Sequence, residues 1–247
     1  HLLRDARYAI RLLIRNPLFA LTAAISLAIG IGASTTVFTI ADALLWRAPV
    51  GVVDADRLVD IGRSQDGQGF DNNSYPNYLD VRTRSTLFSG LYAVRMDPQP
   101  LSLGVAGGAQ RIYGGLVSGN YFDTLGTRAA LGRLFSRNDS EQPGTTPHVV
   151  LSHRFWMRNF HGDPSIVGRV LVLNGKSFTV AGVAQEGFQG TTIFVPDLWM
   201  PMNMAADAMP RQADRLLTSR DAVWLIMGGR LKPGVTREQA QAELTTI

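Results

Sequence analysis

His148, His153 and His161, together with the adjacent pair Ser152-His153, are the side chains of this sequence that most invite a chemical reading. A zinc site of the H-E-x-x-H kind sets two histidines four apart on one helical face and adds further ligands, and these histidines lack that pairing. They read instead as surface or capping residues. A nucleophilic serine on a strand-to-helix elbow needs the G-x-S-x-G surround, which no serine here has. No G-x-x-x-x-G-K-[ST] loop is present to cradle a nucleotide, so ATP is not expected to bind this chain. Aspartates fall mostly in turn contexts such as Asp139-Ser140 and Asp163-Pro164. Tyr75, Tyr78, Phe88 and Tyr92 recur at near-helical spacing, which is more often core than ligand cage. The expectation is a protein that is not an enzyme, with no catalytic, cofactor-binding or metal-binding residues.

The charged residues with the clearest order do physical rather than covalent work. Arg4, Arg7, Arg11 and Arg15 recur at steps of three and four beside the apolar Leu3, Ile10, Leu13 and Ile14. That spacing predicts a basic amphipathic helix, lying on an anionic inner leaflet or docking on a cytoplasmic protein. Asn16-Pro17 breaks that helix from the next segment. Leu18 to Ala41 is a run of 24 residues without a charged side chain. At the helical rise it covers roughly 36 Å, enough for a hydrocarbon core of about 30 Å. Signal-peptide apolar regions are shorter than this, so a retained span is the preferred reading. Arginines on the N-terminal flank place that end in the cytoplasm and everything after Trp46 outside. Ala20, Ala24, Ala28 and Gly32 lie at four-residue steps and form a candidate helix-packing face.

Composition bounds the remainder. The chain has 247 residues, 45% of them hydrophobic, enough for a substantial core. Of the net charge of +4, the first 17 residues account for +3, leaving a nearly neutral remainder. A nucleic-acid partner, which would need a concentrated basic face, is therefore not expected. Cysteine is absent, so neither disulfides nor thiolate chemistry are available.

After Trp46, strands and helices alternate irregularly, which predicts α+β. Arg57 to Gly62 is a strand candidate; Asp66 to Gly69 and Asp71 to Asn73 read as a polar loop; Ser74 or Pro76 opens a helix through Arg82. Two strands flank Gly107-Gly108, and a helical turn starts at Gly119-Asn120-Tyr121-Phe122. A strand from His148 to Leu151 precedes a helix burying Phe155, Trp156 and Phe160. Asn174-Gly175 marks a type I′ hairpin. Ala222 to Met227 reads as a core strand, and Thr236-Arg237-Glu238-Gln239 as a capping box.

The ordered motifs resemble the permeases of MacB- and FtsX-type ABC transporters, especially the orphan or duplicated branch. Arg4 to Ala9 and Asn16-Pro17 precede the span, and Gly30 to Ala33 with Thr36-Val37-Phe38 lie within it. Asp56 to Val59, Ser74 to Asp80, Gly119 to Phe122, Leu131-Gly132-Arg133 and Gly162-Asp163-Pro164 come after it. Leu173-Asn174-Gly175, Asp197 to Pro201 and Arg230 to Thr236 complete the order. The resemblance implies one N-terminal transmembrane helix followed by an extracytoplasmic domain with a porter-like part and a smaller inserted part. It also implies a bacterial inner membrane, a cytoplasmic ATPase that binds the ATP, further spans or a second permease copy, and a periplasmic adaptor or substrate protein. The expected divisions are 1–16 on the cytoplasmic side, 17–46 as the span and 47–247 as the extracytoplasmic domain. Two readings stand: a permease segment coupling an ATPase to export or release, and an anchored binding or sensor domain without one.

Overall fold

The computed structural model describes residues 16–45, 50–65, 68–137, 139 and 147–247. The basic segment with Arg4, Arg7, Arg11 and Arg15 lies outside them, as do the side chain of Asp42 and the whole of Trp46. Chain contacts separate two units, His1–Arg47 and Ala48–Ile247.

In the first unit, α1 (Pro17–Leu45) is a single helix of 29 residues. Pro17 opens it at a position where an N–H would have no intrahelical acceptor, so its missing donor costs little. The apolar segment Ala20–Thr39 is long enough to cross a membrane, and none of it is buried by protein. Three of its threonines are satisfied internally. Thr35, Thr36 and Thr39 donate their hydroxyls to the carbonyls of Ile31, Gly32 and Thr35 at 2.7–2.8 Å. Such back-bonding lets a hydroxyl enter hydrocarbon without an unpaired donor.

The second unit begins with β1 (Leu58–Ile61), the hairpin strands β2 (Arg63–Gln65) and β3 (Gln68–Asp71), α2 (Tyr75–Arg84) and β4 (Phe88–Arg95). Next come β5 (Gln99–Val105), β6 (Gly108–Val117), α3 (Tyr121–Leu125), β7 (Ala129–Gly132), β8 (His148–Leu151) and α4 (His153–Phe160). The chain continues through β9 (Val170–Leu173), β10 (Lys176–Ala184), β11 (Leu198–Pro201), α5 (Ala205–Ala208), α6 (Ala213–Thr218), β12 (Leu225–Leu231) and α7 (Arg237–Leu244).

Strand β12 runs antiparallel between β1 and β4, which makes β1-α2-β4 a split β-α-β unit whose middle strand arrives from far along the chain. From β4 the order proceeds β6-β11-β8-β10-β9-β5, and β5 also pairs with β6, so six strands close on themselves. Closure between β5 and β9 rests on the pair Leu103 and Leu173. Asn174 reinforces it by donating its N–H to the Ser102 carbonyl and accepting the Ser102 N–H, both at 2.9 Å. In chain order the closed strands are inserted between β4 and β12.

Around β4, β8 and β11 both faces of the sheet are buried, and alternation assigns neighbouring residues to opposite sides. Leu91 and Ala93 of β4, Leu198 and Met200 of β11, and Val149 and Leu151 of β8 join one cluster with Tyr78, Phe155 and Ala240 of α2, α4 and α7. Tyr92, Val94, Trp199 and Val150 face the other way, against Tyr121, Phe122 and Leu125 of α3 and against Phe135 and Phe188. Half of this second cluster is aromatic, with Phe122 edge-on to Trp199 at 5.6 Å and Tyr121 edge-on to Tyr92 at 5.4 Å. Such tilted pairs add to the stabilisation from burial alone.

Local signals act where they stand. Ser74 and Ser152 cap α2 and α4 by accepting the N–H groups of Asn77 and Phe155. Thr236 and Gln239 form the capping box of α7. Asn174 and Gly175 take the positive φ values, 49° and 79°, that a type I′ turn requires. Near the end of α7, the Glu243 carboxylate accepts from the Thr86 N–H at 2.8 Å and from the hydroxyls of Ser85 and Thr86. It thereby ties the C-terminal helix to the start of β4. Burial pushes this carboxyl up, but the hydrogen bonds outweigh it and hold it down at about 2.

Two expectations need correction. Gln68, Gly69 and Asp71 are not loop residues but belong to β3, which pairs with β2 as a separate two-stranded sheet. That hairpin has little apolar alternation because it does not line the core. The strand expected at Ala222 to Met227 instead runs from Leu225 to Leu231, since Trp224 and Leu225 first donate their N–H groups to the Asn73 carbonyl.

Candidate functional site

The small-residue face falls on α1, where a helix repeat of 3.6 keeps positions four apart nearly in line. Ala24, Ala28 and Gly32 are exposed and Ala20 is half-exposed. A Cβ built at Gly30 or Gly32 would meet nothing within 4 Å, so backbone is open to close approach there. The structure thus places these candidates together on one helix, while the four candidate arginines lie outside the described residues.

Only residues 46–49 connect α1 to the segment Val50–Arg57, and this segment is fastened to the core at successive positions. Val50 and Val53 keep much of their surface exposed, at 62% and 49%, but each rests over a glycine. A Cβ at Gly187 would come within 2.9 Å of Val50, and one at Gly126 within 2.9 Å of Val53. Both glycines also hold positive φ, 80° and 71°, so any other residue there meets steric strain as well as a close neighbour. Val52, between them, packs against the aromatic cluster.

Hydrogen bonds complete the attachment. The Val53 N–H donates to the Leu125 carbonyl at 3.0 Å. Arg230 reaches from β12 and donates to four backbone carbonyls: Thr124 at 2.8 Å, Leu125 at 3.2 Å, Asp54 at 2.9 Å and Val53. Two of these acceptors belong to the segment and two to the last turn of α3, where free carbonyls and the helix dipole favour a cation. Arg57 donates in the opposite direction, from the segment to the Leu231 carbonyl of β12, at 3.1 Å and 2.8 Å. The carboxylate of Asp54 lies 3.5 Å from Arg57. Burial, and then the neighbouring Arg57, lower the Arg230 pKa, although the guanidinium remains far above any titration near neutral pH.

Sequence reasoning did not find this junction. An arginine that binds carbonyls needs no partner side chain, so nothing at residues 53, 54, 124 or 125 signals it. Glycine at 126 and 187 was the available clue.

Of the residues first considered for chemistry, Ser152 and His153 serve the local structure of α4, while the buried Nδ1 of His148 has no hydrogen-bond partner among the described residues. Ser152 is buried and its hydroxyl accepts the Phe155 N–H at 3.2 Å, while the His153 ring lies edge-on to Trp156 at 5.4 Å. His161 ends α4 at a φ of 52°. Among the described residues, no group of three or more His, Cys, Asp and Glu side chains converges as a metal site would require. A cleft of about 280 Å³ is lined by Gln212, Arg215, Leu216, Asp221, Ala222 and Val223.

Residues 20–247 match the family of the MacB-like periplasmic core domain. No curated protein matches the chain significantly. Solved structures share its fold. A domain of a protein described as a permease from Porphyromonas gingivalis superposes with a TM-score of 0.56 at 17% identity, covering 77% of this chain and 82% of that one. The periplasmic region of MacB from Actinobacillus actinomycetemcomitans gives 0.53 at 16% identity, with 76% and 80% covered. The extracellular domain of the noncanonic ABC-type transporter YknZ, from Gram-positive bacteria, gives 0.50 at 13%, with 75% and 86% covered. With a family match across nearly its whole length and one helix apolar enough to cross a membrane, this chain belongs to the MacB-like periplasmic core domain family of ABC-type transporter permeases.

Proposed function

We propose that this chain is a non-catalytic permease segment that couples a cytoplasmic ABC ATPase to an extracytoplasmic domain for export or release. The observation that carries the reading is the family match over residues 20–247, which takes in an apolar helix long enough to cross a membrane. Residues 46–49 separate α1 from a segment fastened to β12 and α3. ATP would bind the partner ATPase rather than this chain.

The remaining assignments rest on the same reading. Arg4, Arg7, Arg11 and Arg15 would hold the N-terminus at the cytoplasmic face of a bacterial inner membrane, by the positive-inside tendency. Ala20, Ala24, Ala28 and Gly32 would face a further permease span or the same helix of a second copy. Residues 1–16, 17–46 and 47–247 would then be the cytoplasmic segment, the span and the domain that meets a periplasmic adaptor or substrate.

Co-purification of the full-length protein from its native membrane, with ATP turnover measured in the reconstituted complex, tests the coupling. The expected result is an associated ATPase whose turnover changes when the domain 48–247 is deleted. A full-length protein that never associates with an ATPase refutes the coupling and favours an anchored binding domain.

A further inference from the structure

We infer that Arg230 is the positioning residue that makes the segment after the helix move as part of the core domain. Val50 and Val53 are too exposed for burial to hold this segment by itself. Beyond the packing of Val50, Val52 and Val53, its attachment is polar: Arg230 donates to Val53 and Asp54, Arg57 donates to Leu231, and the Val53 N–H donates to Leu125. One guanidinium joins three elements: the segment through Val53 and Asp54, α3 through Thr124 and Leu125, and β12, on which it stands.

The residue type matters. None of the four acceptors is a carboxylate, so charge attraction alone does not explain the arrangement. Four carbonyls arriving from two directions suit a planar fork with five N–H donors. A lysine ammonium, with three donors on one point, cannot reproduce that set. The second arginine crosses the first: Arg57, on the segment, donates to Leu231 of β12, while Arg230, on β12, donates to the segment. Pulling the segment away from the sheet must break both sets together.

The mechanical role given to this clasp rests on the reading of the chain as a coupling segment. Its existence as a clasp does not, and the experiment separates the two. Amide hydrogen exchange is measured on the full chain in lipid nanodiscs for the unaltered protein, R230A and R230K. The probes are the Val53 and Arg57 N–H groups, bonded to the carbonyls of Leu125 and Asp54. The distant β9–β10 hairpin is the internal reference. R230A is expected to accelerate exchange at Val53 and Arg57 by at least about tenfold while leaving the hairpin unchanged. R230K keeps the charge and should leave exchange nearly as fast as R230A. If R230A loses the whole fold, R230K alone carries the comparison. Unchanged protection at Val53, or full rescue by lysine, overturns the clasp. ATP turnover of the complex with its co-purifying ATPase is then compared between R230K and the unaltered protein. An open clasp with unaltered coupling overturns the mechanical role while leaving the clasp in place.

Discussion

The same kinds of side chain meet opposite environments in the two units. Ile29 on α1 is 67% exposed, whereas Ile112 on β6 is fully buried among other side chains. Ile25, Leu27 and Ile31 likewise face outward, while Leu116, Leu151 and Leu198 are enclosed by the sheet and its helices. The comparison shows that hydrophobicity alone does not specify what a residue packs against. The second unit supplies its own apolar interior, with α2, α4 and α7 on one face and α3 within an aromatic-rich cluster on the other. A lone helix cannot, and its outward Leu and Ile side chains are stable only against lipid or another helix.

The contrast can be broken first from the core side. Trp199→Ala removes the indole that Phe122 and Phe188 contact, and should cost the second unit about 3–5 kcal/mol. Thermal unfolding followed by near-UV circular dichroism should fall steeply, with membrane retention unchanged.

Ile29→Arg attacks the helix. A charge near mid-span costs about 2.5–3.5 kcal/mol of insertion, so the fraction resisting alkaline extraction should drop sharply. Unfolding of the second unit should stay where it was. An arginine at exposed Val170 of β9 serves as the control, with an effect within about 0.5 kcal/mol on stability.

A third test uses Thr236→Ala, which removes the cap of α7 and should cost about 1 kcal/mol. Because α7 carries Glu243, a small loss of protection at the Thr86 N–H should accompany it.

The smallest effect is one of pH dependence. The folded Glu243 carboxyl sits near 2, below its ordinary value of 4.5. The unfolded chain therefore takes up the proton first on acidification. The contribution is fully present above about pH 4.5 and is lost as pH falls towards 2. E243Q should flatten the stability curve in that window and leave its shape near neutral pH unaltered. A pH-independent difference between the two proteins would contradict the assignment.

How much could be read beforehand depends on the range of each interaction. The Asn174-Gly175 hairpin, the Ser74 cap and the Thr236 capping box were legible because every group involved lies within a few residues. The closed ring was not. It depends on Leu103 meeting Leu173 and on β12 entering between β1 and β4, pairings to which no local spacing points. Polar β3 was mistaken for loop because it pairs only with β2, away from the core, and so needs no apolar alternation. The apolar helix was legible from its uncharged run, but the attachment after it was missed. Arg230 binds backbone carbonyls, which every residue possesses, so its partners have no signature in the sequence.

The account stands most directly on the side of the membrane occupied by residues 48–247. Because residues 1–247 contain no cysteine, one introduced at exposed Val170 is their single thiol for a membrane-impermeant maleimide. With the outer membrane permeabilised and the inner membrane intact, V170C should label fully without lysis, while a cysteine at Arg4 should label only after lysis. Labelling of V170C only after lysis would place the domain in the cytoplasm and contradict the account.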